Sequence, residues 1–266
     1  MIKIILLLLA GILASCGSTP APRLPPTLEQ AQEIDKEARR ALRSGDLFRA
    51  QHEFTKTLQL RQSIDDSEGV ATTIINLATV THQMHDDEGA LNWLNKITLE
   101  IPSVYPAALR MDASFRKAVI LINLERLPEA ESSLADAEKL CDKKCSLHFG
   151  LEGLHARLLL LKGDTQSALE LALTVSKEAE INKEELANAL RTIAAAEEKL
   201  ARYTEALLHY QSALELDKTL SLSGRIGEDL AGLARVAKQL GRAQESSAYL
   251  KRAELVNNAL RQSSGP

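Results

Sequence analysis

Glu205-Ala206-Leu207-Leu208-His209-Tyr210-Gln211-Ser212-Ala213-Leu214-Glu215-Leu216-Asp217 sets small and apolar residues at helical offsets: Tyr210 follows Ala206 by four and Ala213 follows Tyr210 by three. Those intervals bring the three side chains to one face of an α-helix. Twelve residues before Ala206 stands another small residue, Ala194, and between them lies the turn pair Ala201-Arg202. The stretch reads as the second helix of an antiparallel pair whose members cross at small residues.

Working outward, the same arrangement recurs. The first small residue is Ala38, Ala78, Ala118, Ala156, Ala194 and Ala234, and the second is Ala50, Ala90, Ala130, Ala168, Ala206 and Ser246, so successive units are 40, 40, 38, 38 and 40 residues apart. Turn signals sit between them at Gly45-Asp46, His85-Asp86, Glu125-Arg126, Gly163-Asp164, Ala201-Arg202 and Gly241-Arg242. Four residues after the second small position come Phe54, Leu94, Leu134, Ala172, Tyr210 and Leu250, and three later Thr57, Ile97, Ala137, Val175, Ala213 and Ala253. A single pair cannot bury its own apolar stripe, so stacked neighbours must share a continuous core. An alanine-rich helical bundle is the alternative; six registers in step argue against it.

This pattern resembles the tetratricopeptide repeat (TPR), with 205–217 the best segment and Ile74 to Pro102 also good, Pro102 standing where that family ends its second helix. The resemblance implies an all-α fold, a right-handed superhelical solenoid of about six TPR-like helix pairs over residues 28–262. Two departures are plain. The aromatic residue expected early in the first helix is replaced by Ile34, Ile74, Ser114, Glu152, Leu190 and Leu230, and the period is nearer 40 than 34, which implies helices about a turn longer.

The N-terminus carries one positive charge, Lys3, then an apolar run from Ile4 to Ala14. Such a run rises only about 16 Å as a helix, roughly half a hydrocarbon core, so it reads as a secretion signal and not as a membrane span. Leu13-Ala14-Ser15-Cys16 then resembles the bacterial lipoprotein signal, the lipobox. The resemblance implies that residues 1–15 are a signal peptide cut between Ser15 and Cys16, after diacylglycerol attachment to the Cys16 sulfur, with a further acyl chain such as palmitate on the new amino group. Two or three chains give a stable anchor. Gly17 following the lipidated residue implies sorting to the outer membrane, facing the periplasm. Residues 16–27 hold the lipidated cysteine and four prolines among small polar residues, the composition of a flexible tether.

The formal net charge of -4 argues against nucleic acid as the partner, which calls for a strongly basic face. Aromatic residues make up only 3% while alanine, leucine, glutamate and lysine dominate, which favours helices. Besides Cys16 the chain has Cys141 and Cys145, in Leu140-Cys141-Asp142-Lys143-Lys144-Cys145-Ser146. In an oxidising envelope they are expected to form a disulfide, provided that the preceding helix ends near Cys141. Free thiols and a redox or metal site are the alternatives, but the spacing is not C-x-x-C and no histidine lies in a recognisable ligand pattern beside the pair.

Motifs of catalysis are scarce. G-x-S-x-G, H-E-x-x-H and Gly-rich phosphate loops do not occur. Ser114-Phe115-Arg116-Lys117 matches S-x-x-K without its companion motifs and reads as a solvated helix pair. His82 and His85 with Asp86, Asp87 and Glu88 gather metal-ligand types at a turn, where solvated carboxylates are the plainer reading. No cofactor, metal or catalytic residue is assigned.

The TPR resemblance further implies that the first helix of each pair lines a concave face. Its inward offsets fall on Arg157, Asn188, Arg191, Arg235 and Lys238 in units four to six, a basic stripe that Glu198 and Glu228 would partly neutralise. In units one to three they fall on Arg39, Leu42, Ile75, His82, Phe115, Val119 and Ile122, a mixed to apolar stretch. The carboxylate clamp of the chaperone-docking subclass is not reproduced, because Asp35 and Asp112 stand where that subclass has lysine. The expectation is therefore a scaffold or adaptor, not an enzyme, that holds envelope proteins or peptides in its groove, for example in secretin and pilus biogenesis or in recruiting peptidoglycan enzymes. The alternative is a cell-wall hydrolase or lyase on an α-superhelical scaffold, with paired carboxylates doing acid and base work.

Overall fold

The computed structural model describes residues 24–100, 104–142, 145–179 and 182–263. The signal peptide, Cys16, most of the tether and Pro102 lie outside the described residues.

Among the described residues there are twelve α-helices, arranged as six antiparallel pairs. They are α1 (Pro26–Arg43) with α2 (Leu47–Ser63), α3 (Ser67–Gln83) with α4 (Asp87–Asn95), and α5 (Ala107–Asn123) with α6 (Leu127–Leu140). Then come α7 (His148–Lys162) with α8 (Thr165–Glu178), α9 (Lys183–Lys199) with α10 (Tyr203–Leu220), and α11 (Ser223–Gln239) with α12 (Ala243–Ser263). The result is a TPR-like solenoid. The first helix starts at Pro26, so the last two residues assigned to the tether form its first turn, where a proline loses no hydrogen bond. No described helix is long and apolar enough to cross a membrane.

The turns explain the periodicity. The first residue of every turn pair has positive φ: Gly45 79°, His85 63°, Glu125 58°, Gly163 92°, Ala201 57° and Gly241 73°. The second residue opens the next helix, and Asp46, Asp86 and Asp164 cap it by accepting from the backbone N–H of Arg49, Gly89 and Ser167. The same turn recurs between units at Asp65-Asp66, where Asp66 accepts from the Gly69 N–H, and at Ser221.

All twelve small crossing residues are buried, because helix backbones approach too closely there for longer side chains. In the sixth pair the serine keeps its polarity satisfied by donating from Ser246 Oγ to Ala234 O at 2.8 Å. Of the apolar stripe Leu250 departs, at 50% exposure, since no described helix packs beyond α12. One core runs from α1 into α7, which contributes Leu151, Leu154 and Leu158 to it and Ala156 and Leu160 to the next cluster. Thus α7 joins the two halves of the solenoid.

Between α6 and α7, the helix ends at Leu140 and Cys141 is extended, which lets its sulfur meet Cys145 in a disulfide with a Cα–Cα distance of 5.4 Å.

Candidate functional site

A cleft of about 390 Å³ opens on the face built by the first helices of units three to six. Its lining follows a register. Counted from the first small residue of each unit, residues at minus nine (Glu185, Arg225), minus six (Gly150, Asn188, Glu228), minus three (Phe115, Gly153, Arg191) and plus one (Val119, Arg157, Arg235) all contribute. These offsets form one helical stripe, and stacking lays four such stripes side by side.

The floor of the cleft is α7, which carries Gly153 where a side chain would otherwise stand. A Cβ at Gly153 would meet nothing within 4 Å, so this residue keeps space open at a helix-propensity cost of about 1 kcal/mol relative to alanine.

The cations divide into spent and unspent. Arg191, 12% exposed, donates from Nε to Asp229 Oδ1 at 2.7 Å, from Nη2 to Asp217 Oδ2, and from Nη1 to Asn188 Oδ1 at 3.0 Å. Burial opposes its charge, but Asp229, Asp217 and Glu228 together more than offset this and hold the guanidinium above its ordinary value. Asp229, fully buried, is pushed up to about 7 by burial; Asp217 adds to the rise and Arg191 opposes it. Arg235 holds Glu198 with two bonds, at 2.9 and 3.0 Å, and also donates to the Tyr210 hydroxyl at 3.2 Å. Burial raises the pKa of that phenol.

Arg157 differs. It lines the cleft, donates from Nη2 to Asn123 Oδ1 at 3.0 Å and, among the described residues, forms no ion pair. Burial and then the like charge of Arg225 depress its pKa, with Arg191 adding to this and Glu228 opposing. Arg225 is itself only loosely paired, with Glu228 at 3.4 Å. Glu185 is pushed upward by burial.

The expected basic stripe therefore needs correcting. Arg157, Asn188, Arg191, Arg235 and Phe115 all line the cleft, but Arg191 and Arg235 are tied up within the fold. Lys238 is exposed outside the lining. Ile75 and Ile122, assigned to the groove, are 5% and 2% exposed and belong to the core, because neighbouring helices close over apolar side chains that water would penalise. Ser114 is buried instead of solvated. His82 binds Asp87 at 2.5 Å and Asp86 caps α4, so the histidine cluster serves the turn. Asp35 and Asp112, in the clamp positions, hold Arg39 and Arg116 at 2.7 and 2.8 Å. Sequence reasoning missed Glu185 and Arg225, which the register at minus nine would have reached.

No protein-family model matches the sequence, and no curated protein matches it. Solved structures do. A signal-transduction ATPase with a tetratricopeptide repeat sensor from Pyrococcus horikoshii aligns at 18% identity and TM-score 0.56, covering 87% of this chain and 36% of that one. The chain has the fold of a tetratricopeptide solenoid. This solenoid spans about a third of the length of that sensor protein. A Rap protein complexed with competence and sporulation factor is similar at 10% identity and TM-score 0.63, over 88% of this solenoid and 78% of that chain. PilF of Pseudomonas aeruginosa is similar at 16% identity and TM-score 0.58, over 85% and 90% respectively.

Proposed function

We propose that this solenoid is an adaptor of the bacterial envelope, held to the outer membrane by lipid on Cys16, that takes a carboxylate-bearing peptide segment of a partner protein in the cleft of units three to six. The observation that carries the reading is Arg157, a guanidinium in the cleft with no ionic partner among the described residues, beside the open space over Gly153. A carboxylate from the partner would relieve the repulsion from Arg225 and could be held by two parallel N–H bonds. The Rap structure, complexed with its factor, supports a binding role for this fold. The envelope setting rests on the lipobox resemblance, and secretin or pilus biogenesis and peptidoglycan-enzyme recruitment are the processes in which such an adaptor would serve.

The test is in-cell crosslinking of the tagged protein, repeated with Arg157→Glu and with Gly153→Leu. The Cβ of the leucine would meet nothing within 4 Å, so the side chain has room to project into the cleft, and stability should hold or rise by about 1 kcal/mol. A partner lost in both variants supports the cleft; a partner retained in both sinks it.

Glu185 favours a second reading, a cell-wall hydrolase or lyase, because a carboxyl raised by burial within a cleft is what a general acid requires. Turnover on purified sacculi that disappears in Glu185→Gln would favour it, and inertness of the unaltered protein would remove it.

A further inference from the structure

The fourth helix pair has an open end, opposite its Gly163 turn, where the start of α7 meets the end of α8. Three metal-ligand side chains converge there: His148 and Glu152, four residues apart on α7, and Glu178, the last residue of α8. One ligand atom from each lies within 4.8 Å of the others, and His148 Nε2 is 3.7 Å from Glu152 Oε1. The i, i+4 spacing brings an imidazole and a carboxylate to one helix face.

One oxygen beside the cluster lacks a partner: Oε2 of Glu152, on a side chain that is 34% exposed overall, is buried and has no hydrogen-bond partner among the described residues. Buried carboxylate oxygens are ordinarily satisfied, and an ion is one of the few things that satisfies one without a donor. His148 is held in place by its backbone N–H, which donates to Cys145 O at 3.2 Å and so ties it to the disulfide loop.

We propose that His148, Glu152 and Glu178 form a binding site for a divalent transition-metal ion of the zinc type, which clasps α7 to α8. One imidazole with two carboxylates is a donor set for Zn²⁺, with water completing four-coordination, while Mg²⁺ and Ca²⁺ prefer all-oxygen shells. The site is separate from the cleft: at 100° per residue, His148 and Glu152 lie about 150° around α7 from Gly150, Gly153 and Arg157. Because α7 supplies side chains to the cores on both sides, a clasp there would brace the junction between the two halves of the solenoid.

The experiment uses the full chain in detergent, isolated without reductant so that the cysteines stay paired, stripped with a chelator and titrated with Zn²⁺ by calorimetry. Glu178→Gln changes an exposed side chain and should fold; His148→Gln is the second variant. The expected result is one Zn²⁺ per chain, weakened at least about tenfold by Glu178→Gln and lost in His148→Gln, with a thermal midpoint that Zn²⁺ raises only in the unaltered protein. Absence of binding, equal affinity in both variants, or equal binding of Mg²⁺ would each overturn the site. None of these results bears on Arg157 or the cleft.

Discussion

Arg191 donates from Nε to Asp229 Oδ1 at 2.7 Å across the boundary between the fifth and sixth helix pairs, while its Nη2 holds Asp217 of its own pair. Both carboxylates are essentially removed from water, so the guanidinium is what makes their burial tolerable. Breaking such a network from one side is costly. Arg191→Met should therefore lower unfolding free energy by about 3–5 kcal/mol in denaturant titration, whereas replacing Arg191, Asp217 and Asp229 together by apolar residues should recover much of it. A single-variant loss near zero would show that the network is not formed.

Asp229 gives the solenoid a pH dependence of definite sign. Its folded pKa, about 7, lies above the ordinary carboxylate value of 3.8, so the folded state binds the proton more tightly than the unfolded chain does. The stabilisation linked to that proton is complete below the unfolded pKa and is lost as pH rises through the folded one. Stability should decline from about pH 4 toward pH 7 at this group, and thermal midpoints measured across that window should show a shallower decline in Asp229→Asn.

Gly232 on α11 lies against the Tyr210 ring: an added Cβ would sit 2.5 Å from two of its carbons. Tyr210 is 2% exposed and cannot swing away into solvent. Gly232→Ala should destabilise by about 1–3 kcal/mol despite alanine's better helix propensity. In a double-mutant cycle, Tyr210→Leu should remove most of the penalty while Tyr210→Phe, which keeps the ring, should not.

The two chemical features of the cysteines can be checked separately. Cys16→Ala should move the protein from the membrane to the soluble fraction, and retention on the membrane would refute the lipid anchor. Reduction should raise the intact mass by about 2 Da if Cys141 and Cys145 are bridged in the isolated protein, and leave it unchanged if they are thiols.

Gly153→Leu and Arg157→Glu form a pair whose comparison matters more than either alone. The first fills space and leaves charge untouched; the second reverses charge and leaves the space open. If partner capture depends on shape and on a carboxylate together, each variant alone should abolish it without lowering the thermal midpoint.

The sequence by itself determined the helix pairs, their register and their turns. Ala206, Tyr210 and Ala213 could be placed because the close crossing of two helices tolerates only certain volumes, and a local constraint repeated every 38 to 40 residues is visible in one dimension. The positive φ at His85, Glu125 and Ala201 shows that the turn is imposed by that packing even where glycine is missing. What tertiary structure alone decided is which inward residues remain available. Arg191 and Arg157 both line the cleft and are both cations, and nothing local to either predicts that Asp229, 38 residues on, claims the first while the second makes no ion pair among the described residues. Ile75 and Phe115 share a register, yet one is sealed in the core and the other lines the cleft. Electrostatic pairing and solvent exclusion depend on distances through space between units, and the superhelical stacking that sets those distances is a property of the assembled fold.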